Sequence, residues 1–207
     1  MREPVKIYFA SSNPGKLAEF RALAASPATV DRPPISVELL PRFESIPPFE
    51  ENAPTFGENA LGKALYYSQL SRGFLFADDS GLVVPALDGR PGVQSARYAG
   101  PHATSAERIA KLLEELRHKS AWERAGYFCC VIAVVRDGRP VAIVSNWADG
   151  EILAAPRGTG GFGYDPIFYL PKLGKTFAQL SQDEKNEHSH RGKAFRRVLT
   201  LLQSLGQ

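Results

Sequence analysis

Cysteine is nearly absent: Cys129 and Cys130 are the only two, and they are neighbours. Consecutive Cα atoms lie about 3.8 Å apart, closer than a disulfide ordinarily bridges. Both fall in an apolar, strand-like run and read as small core residues, which argues against a disulfide framework and for a reducing compartment. Charge of one sign is also scarce. A net charge of +3 is too small to hold a nucleic-acid polymer, although a few local lysines and arginines would suit a small anion. Long apolar runs are missing. The first apolar stretch, residues 5–10, is too short for the core of a secretory signal and far too short for a membrane span. The expectation is a cytoplasmic protein with neither a membrane nor a nucleic-acid polymer as partner. The four histidines form no HExxH pattern and the cysteines lack metal-type spacing, so zinc is not expected. Internal repeats and low-complexity tails are lacking as well. The remainder is ordinary: 207 residues, 43% hydrophobic and 23% charged, which suits one soluble domain or one domain with two lobes.

Local patterns order the chain. Residues 5–10 read as a first strand, followed by Ser11-Ser-Asn-Pro-Gly-Lys16 and a helical stretch through Ala25. Residues 27–54 are proline-rich but interspersed with apolar residues, which predicts an ordered connection with one strand near 35–40 rather than a domain linker. Thr55 and Glu58 match a capping box, as do Thr104 and Glu107. Phe56, Ala60, Leu61, Ala64 and Leu65 then supply one helical face, and Ile109, Leu112, Leu113 and Leu116 another. Between the two helices, Phe74-Leu-Phe-Ala-Asp-Asp-Ser-Gly81 reads as a buried strand that leaves the core at Asp78-Asp79. Residues 126–135 read as a long strand, Asp137-Gly138 as a hairpin turn, and residues 141–147 as the return strand. A short strand near 167–169 follows a glycine-dense loop, and Phe195, Val198, Leu199 and Leu202 mark a last helix. Helices alternating with strands, plus one hairpin, predict an α/β fold with a mixed sheet flanked by helices.

Four islands could carry chemistry. Residues 11–16 join a strand to a helix, where backbone N–H groups and the helix dipole favour an anion; Lys16 adds charge, and Ser11 and Asn13 add side-chain hydrogen bonds. The spacing is not that of a Walker A loop. Asp78-Asp79, at the carboxyl edge expected of an α/β sheet, is suited to a hard cation or to orienting a water. Because neighbouring strand residues point to opposite faces, the two do not act as a pair. Glu50 and Glu51 matter only if folding brings one beside Asp79, when two carboxylates with phosphate oxygens and water would suit Mg²⁺. Gly158-Thr-Gly-Gly-Phe-Gly-Tyr-Asp-Pro166 offers close backbone approach and two aromatic rings, Phe162 and Tyr164, for a base to stack on. Lys185-Asn-Glu-His-Ser-His-Arg-Gly192 lies between helical stretches and carries Lys185, His190 and Arg191.

In this order Ser11-Ser-Asn-x-Gly-Lys16, Phe76-Ala-Asp-Asp-Ser-Gly81, GVQSARY at 92–98, GTGGFGYDPIF at 158–168 and Ser189-His-Arg-Gly192 resemble the inosine triphosphate pyrophosphatase family, also called Ham1-like or non-canonical purine NTP pyrophosphatases. The resemblance covers essentially the whole chain, 1–207, as a single domain. It implies an α/β homodimer whose two lobes enclose a central substrate cleft. It also implies Mg²⁺-dependent hydrolysis of ITP, dITP and XTP to the monophosphate and pyrophosphate, which removes these nucleotides before polymerases use them. Carried onto this chain, Ser11, Ser12, Asn13, Pro14, Gly15 and Lys16 bind the triphosphate. Glu50 and Asp79 hold Mg²⁺, Asp79 accepts the proton, and Ser80 touches substrate. Phe162, Gly163, Tyr164, Asp165, Lys185, His190 and Arg191 bind the nucleoside end, and Lys63 is a further phosphate contact. Ser12 stands where many relatives have glycine, and the 27–54 segment matches poorly, which leaves Glu50 and Glu51 open as the metal ligand.

Donor and acceptor chemistry bears on base choice. Arg191 only donates, so placing it at purine position 6 would favour an oxo group over an amino group; guanine must then be refused at its 2-amino group. Two other readings compete: a Maf-like pyrophosphatase of different base preference, and a nucleotide sensor without turnover. Lys16 and the GTGGFGYD loop speak against the first, and the set Glu50, Asp79 and Lys16 against the second.

Overall fold

Apolar strand patterns, capped helices and one tight turn fold as twelve regular elements in the computed structural model, which describes residues 5–25 and 34–205. They are β1 (Val5–Phe9), α1 (Pro14–Ala24), β2 (Ile35–Leu39), α2 (Phe56–Ser68), β3 (Phe74–Val83) and α3 (Ser105–Glu115), then β4 (Ala125–Arg136), β5 (Arg139–Ile152), β6 (Phe168–Leu170), β7 (Lys175–Thr176), α4 (Gln182–His188) and α5 (His190–Leu205). The start of the proline-rich connection, residues 26–33, lies outside the described residues. The strands form one seven-stranded sheet in the order β2-β1-β3-β4-β5-β6-β7. β1 runs parallel to β2 and β3, and β6 antiparallel to β5 and β7. The sheet is mixed, as the alternation of elements predicts.

Helix starts follow their caps. Asn13 accepts from the Lys16 N–H and Pro14 takes the first turn of α1, where a missing N–H costs nothing. Thr55 accepts from the Glu58 N–H at the start of α2. Thr104 with Glu107, and Ser181 with Glu184, close full capping boxes on α3 and α4. Between β4 and β5, Asp137 and Gly138 both take positive φ, +49° and +76°, as a two-residue primed turn requires.

Two strands run longer than their sequence pattern predicts. β3 does not stop at Asp78-Asp79 but continues through Ser80 and Gly81 to Val83. The apolar run resumes at Leu82 and Val84, both fully buried, and the Leu82 N–H donates to Ser95 Oγ at 2.9 Å. Turn-forming residues stay extended here because the core on their far side needs the strand. β5 likewise spans 139–152 rather than 141–147.

The chain forms two compact units: Met1–Asp79 with Cys130–Asn146 and Arg191–Gln207, and Ser80–Cys129 with Trp147–His190. The first is built on Phe9, Phe20, Phe76 and Phe195, with ring centroids 4.7–5.3 Å apart, together with Ile7, Val37, Ile132 and Val198. Rings at such separations gain contact energy beyond the area they bury. The second packs Leu82, Ile109, Leu112, Phe128, Phe168 and Phe177. Among the described residues no helix is long and apolar enough to cross a membrane.

Candidate active site

Strand register builds the first cluster. β1 pairs with β3 up to Phe9↔Phe76, and the Ala10 N–H still donates to the Phe76 carbonyl at 3.0 Å. Asp78 and Asp79 therefore lie just beyond the carboxyl end of β1, where the chain turns into residues 11–16. Alternation then separates the two acids. Asp78 shares a face with Phe76, whose ring packs on Phe20 of α1 and Phe195 of α5. Its Oδ2 lies 2.8 Å from Lys16 Nζ of α1. Asp79 points the other way and accepts a 3.0 Å hydrogen bond from Asn59 Nδ2 of α2.

The loop at 11–16 is held by its own side chains. Ser11 Oγ accepts from the Asn13 N–H at 3.2 Å, and Asn13 Oδ1 accepts from the Lys16 N–H at 3.1 Å. These oxygens, expected from the sequence to contact a ligand, shape the loop. Ser12 and Pro14 are exposed and Gly15 is half-buried.

The acids differ in environment. Burial alone would raise the Asp78 pKa, but Lys16, Arg191 and Lys63 outweigh it and hold the carboxyl well below its ordinary range. Asp79 goes up to about 6: burial is the main cause, Glu51 adds to it, and Lys16, Asn59 and Lys63 oppose it. Lys63 forms an ion pair with Glu51. Burial pulls its pKa down, but Glu51, Asp78 and Asp79 raise it on balance. Arg191, 3% exposed, pairs with Glu19, and although burial alone would lower its pKa, Glu19 and Asp78 hold it above its ordinary value. Counting charges, Lys16, Lys63 and Arg191 face Asp78, Asp79, Glu51 and Glu19: three cations against four acids. The cluster is neutral only while Asp79 keeps its proton.

Of the two loop acids, Glu51 is the one coupled to Asp79. Glu50 is exposed, and its carboxylate accepts from Asn52 Nδ2 at 3.0 Å. Ser80 is half-buried on β3. Among the described residues no group of three or more His, Cys, Asp or Glu side chains is placed to hold a metal. The carboxylates that would be offered to a hard cation are Asp79 and Glu51, with phosphate oxygens and water as its other ligands.

The second cluster lies in the other unit. Asp165, 4% exposed, accepts on one oxygen from both the Phe162 N–H at 2.9 Å and Lys185 Nζ at 2.7 Å. The Lys185 ammonium also lies 4.9 Å from the centre of the Phe162 ring, a cation–π distance. Two glycines are dictated by the chain itself. A Cβ at Gly161, φ +72°, would stand 2.1 Å from Asp165 Oδ2, and one at Gly158, φ +80°, 2.8 Å from the Ala178 carbonyl. Their close approach is to protein, where the sequence pattern suggested a ligand. Gly163 also has positive φ, +63°.

Of the two aromatic rings in this loop, only Phe162 stays half-exposed. Tyr164 is 3% exposed, and its hydroxyl donates to the Ser95 carbonyl at 3.0 Å. That ring is core, a correction to its reading as a stacking platform. His190 is likewise buried and stacks on Phe128, centroids 4.7 Å apart and planes at 9°.

Asn59 and Glu19 are not among the residues that the sequence pointed to. Asn59 had a signal: with Lys63 it puts polar residues on the same stripe as the buried Ala60, Ala64 and Tyr67. Glu19 had none, because its partner lies 172 positions away.

A lysine loop beside buried carboxylates at the carboxyl edge of parallel strands defines an α/β protein with a site of mixed charge. Comparison with known proteins narrows this. Residues 7–201 match the model of the Ham1 family. The chain is 48% identical to the dITP/XTP pyrophosphatase of Geobacillus kaustophilus, covering 93% of this chain and 92% of that protein. It is 43% identical to the dITP/XTP pyrophosphatase of Coxiella burnetii, covering 96% of each. The solved structure of a HAM1 protein from Coxiella burnetii superposes with a TM-score of 0.82 at 42% identity, over 97% of this chain and 99% of that one. The Ham1 protein of Staphylococcus aureus gives 0.82 at 37% identity, over 96% and 98%. The chain belongs to the Ham1 family.

Proposed function

We propose that this protein hydrolyses non-canonical purine nucleoside triphosphates (ITP, dITP and XTP) to the monophosphate and pyrophosphate, with Mg²⁺ as cofactor. The observation that carries the reading is Asp79: a buried carboxylate just beyond the carboxyl end of β1, held by Asn59 Nδ2 at 3.0 Å and raised in pKa by burial, in a chain whose relatives are dITP/XTP pyrophosphatases.

The residues have separable tasks. Water attacks the α-phosphorus and pyrophosphate departs. An aspartate of ordinary pKa, about 3.9, is a weak base for water. Without metal, burial raises Asp79 to about 6, closer to the operating pH; it would be lowered again by a bound Mg²⁺, which also acidifies the water. Lys16 offers positive charge to the phosphates, with Asp78 holding its ammonium at 2.8 Å. Asp79 and Glu51 would hold Mg²⁺, which when bound supplies neutralisation of phosphate oxygens and stabilises the departing pyrophosphate. The charge count supports this. At neutral pH three cations face four acids, and one divalent cation would turn the net charge of these groups positive. Phe162, with Asp165 and Lys185 behind it, is the candidate platform for the base. A homodimer in the cytoplasm, clearing the nucleotide pool before polymerases draw on it, belongs to the same reading.

The test is a panel of ITP, XTP, dITP, GTP and ATP with Mg²⁺ in ¹⁸O-labelled water. Label should enter the monophosphate, with little turnover of GTP or ATP. Orthophosphate as the first product would refute cleavage at the α-phosphorus, and equal rates on ATP and ITP would refute the selectivity.

A further inference from the structure

One buried amide ties the acidic loop to the reacting carboxylate. Asn59, 1% exposed, spends its whole side chain on two partners. Its Oδ1 accepts from the Ala53 N–H at 3.0 Å, and its Nδ2 donates both to the Ala53 carbonyl at 3.3 Å and to Asp79 Oδ2 at 3.0 Å. The amide orientation follows from the partners: flipped, it would set an NH₂ against the Ala53 N–H and a carbonyl oxygen against the carboxylate. Ala53 lies two residues beyond Glu51, and one helical turn on from Asn59 the Lys63 ammonium holds Glu51 itself. Two neighbouring positions of α2 thus fasten the loop at 50–53, and one of them also fastens Asp79.

We infer that Asn59 is a positioning residue for the hydrolytic reaction: it fixes the rotation of the Asp79 carboxylate and sets the distance between that carboxylate and the Glu51 loop. The inference rests on the reading of Asp79 as the group that acts on water. The last torsion of an aspartate is soft and broad, so packing alone leaves the carboxylate free to turn. A hydrogen bond to one oxygen from an amide that is itself tied to backbone removes that freedom. The hydrogen bonds of the Asn59 side chain go to Ala53 and Asp79, not to the Lys16 loop or the Phe162 cluster, so nucleotide affinity should not depend on it.

The experiment compares wild type with Asn59→Ala on ITP and Mg²⁺, alongside thermal melting and calorimetric binding of ITP in metal-free buffer. For the folded variant at saturating Mg²⁺ kcat should fall about 100-fold, the order expected for a misplaced reacting group, while KM for ITP and metal-free ITP binding stay within about threefold. In an Asp79→Glu background, where the carboxylate is already displaced by a methylene, Asn59→Ala should add little, since groups acting as one unit are not additive. If the alanine variant does not fold, Asn59→Gln keeps the amide but moves it, and kcat should still drop at least tenfold. Retained kcat in a folded variant, a loss that merely tracks the folded fraction, or full additivity with Asp79→Glu each overturns the inference. A wild type that releases no pyrophosphate from ITP removes the functional reading instead, and this inference with it.

Discussion

The two units each hold an Asp–Lys pair, and they treat it oppositely. In the second unit Asp165 and Lys185 set one carboxylate against one ammonium, and the Phe162 N–H takes a further lone pair of the same carboxylate oxygen. In the first unit Asp78 and Lys16 form a comparable pair, but Asp79 stands next to it with a neutral amide as its partner and an acid, Glu51, raising its pKa. A balanced buried pair fixes a shape. An unbalanced one stores a carboxylate that takes and gives a proton near neutrality, a property that tends to mark reactive sites.

Removing the unbalanced acid is the strongest way to break this contrast. Asp79→Asn should lower pyrophosphate release from ITP about 1,000-fold, within the range for a general base, while calorimetry still detects ITP binding; full retained activity would strip Asp79 of its role. Breaking the balanced pair should act on stability instead. Asp165→Ala removes from Lys185, 5% exposed, the carboxylate that holds it at 2.7 Å, and urea denaturation should show a loss of about 3–5 kcal/mol. A loss under about 1 kcal/mol would mean that the pair is not structural.

The pH dependence separates the two acids of β3. Asp79 is raised from an ordinary 3.8 to about 6, so the folded state holds its proton longer than the unfolded chain does. The resulting stability is fully present below pH 3.8 and is lost as pH rises through about 6. Asp78 is depressed, so its contribution is present above 3.8 and is lost as pH falls towards its folded value. Subtracting the unfolding free energy of Asp79→Asn from that of wild type, in metal-free buffer, isolates the first effect. The difference should fall by about 2–3 kcal/mol between pH 4 and 7, because over most of that range the folded carboxyl keeps a proton that the unfolded one has lost. A flat difference would show that Asp79 titrates normally. The smallest effect sharpens the choice of loop acid. Glu51→Gln should move the Asp79 midpoint down and raise the Mg²⁺ concentration needed for half-maximal rate, whereas Glu50→Gln should change either by less than about twofold. The reverse order would return the metal-ligand role to Glu50.

Where partners sit close in sequence, the residues themselves were legible. Thr55 with Glu58 and Thr104 with Glu107 announced α2 and α3 because a cap and its N–H lie three positions apart. Asp137-Gly138 announced its hairpin because only residues tolerant of positive φ fit that turn. The alternation rule also forecast that Asp78 and Asp79 would face different partners. It failed to forecast that β3 continues past them, because Ser80 and Gly81 look like a turn until Leu82 is seen in the second core.

What the sequence determined by itself, then, is the set of chemical groups and their local frames: the capped helices, the mixed sheet, the Lys16 loop and an aspartate at its edge. Only tertiary structure decided which of these groups are charged and which are held. The Glu19–Arg191 pair spans 172 positions, Asn59 reaches Asp79 across 20, and Tyr164 reaches Ser95 across 69. Burial and charge coupling depend on distance in space, which composition and spacing do not carry. The raised pKa of Asp79 is therefore a property of the fold, although the aspartate itself is a property of the chain.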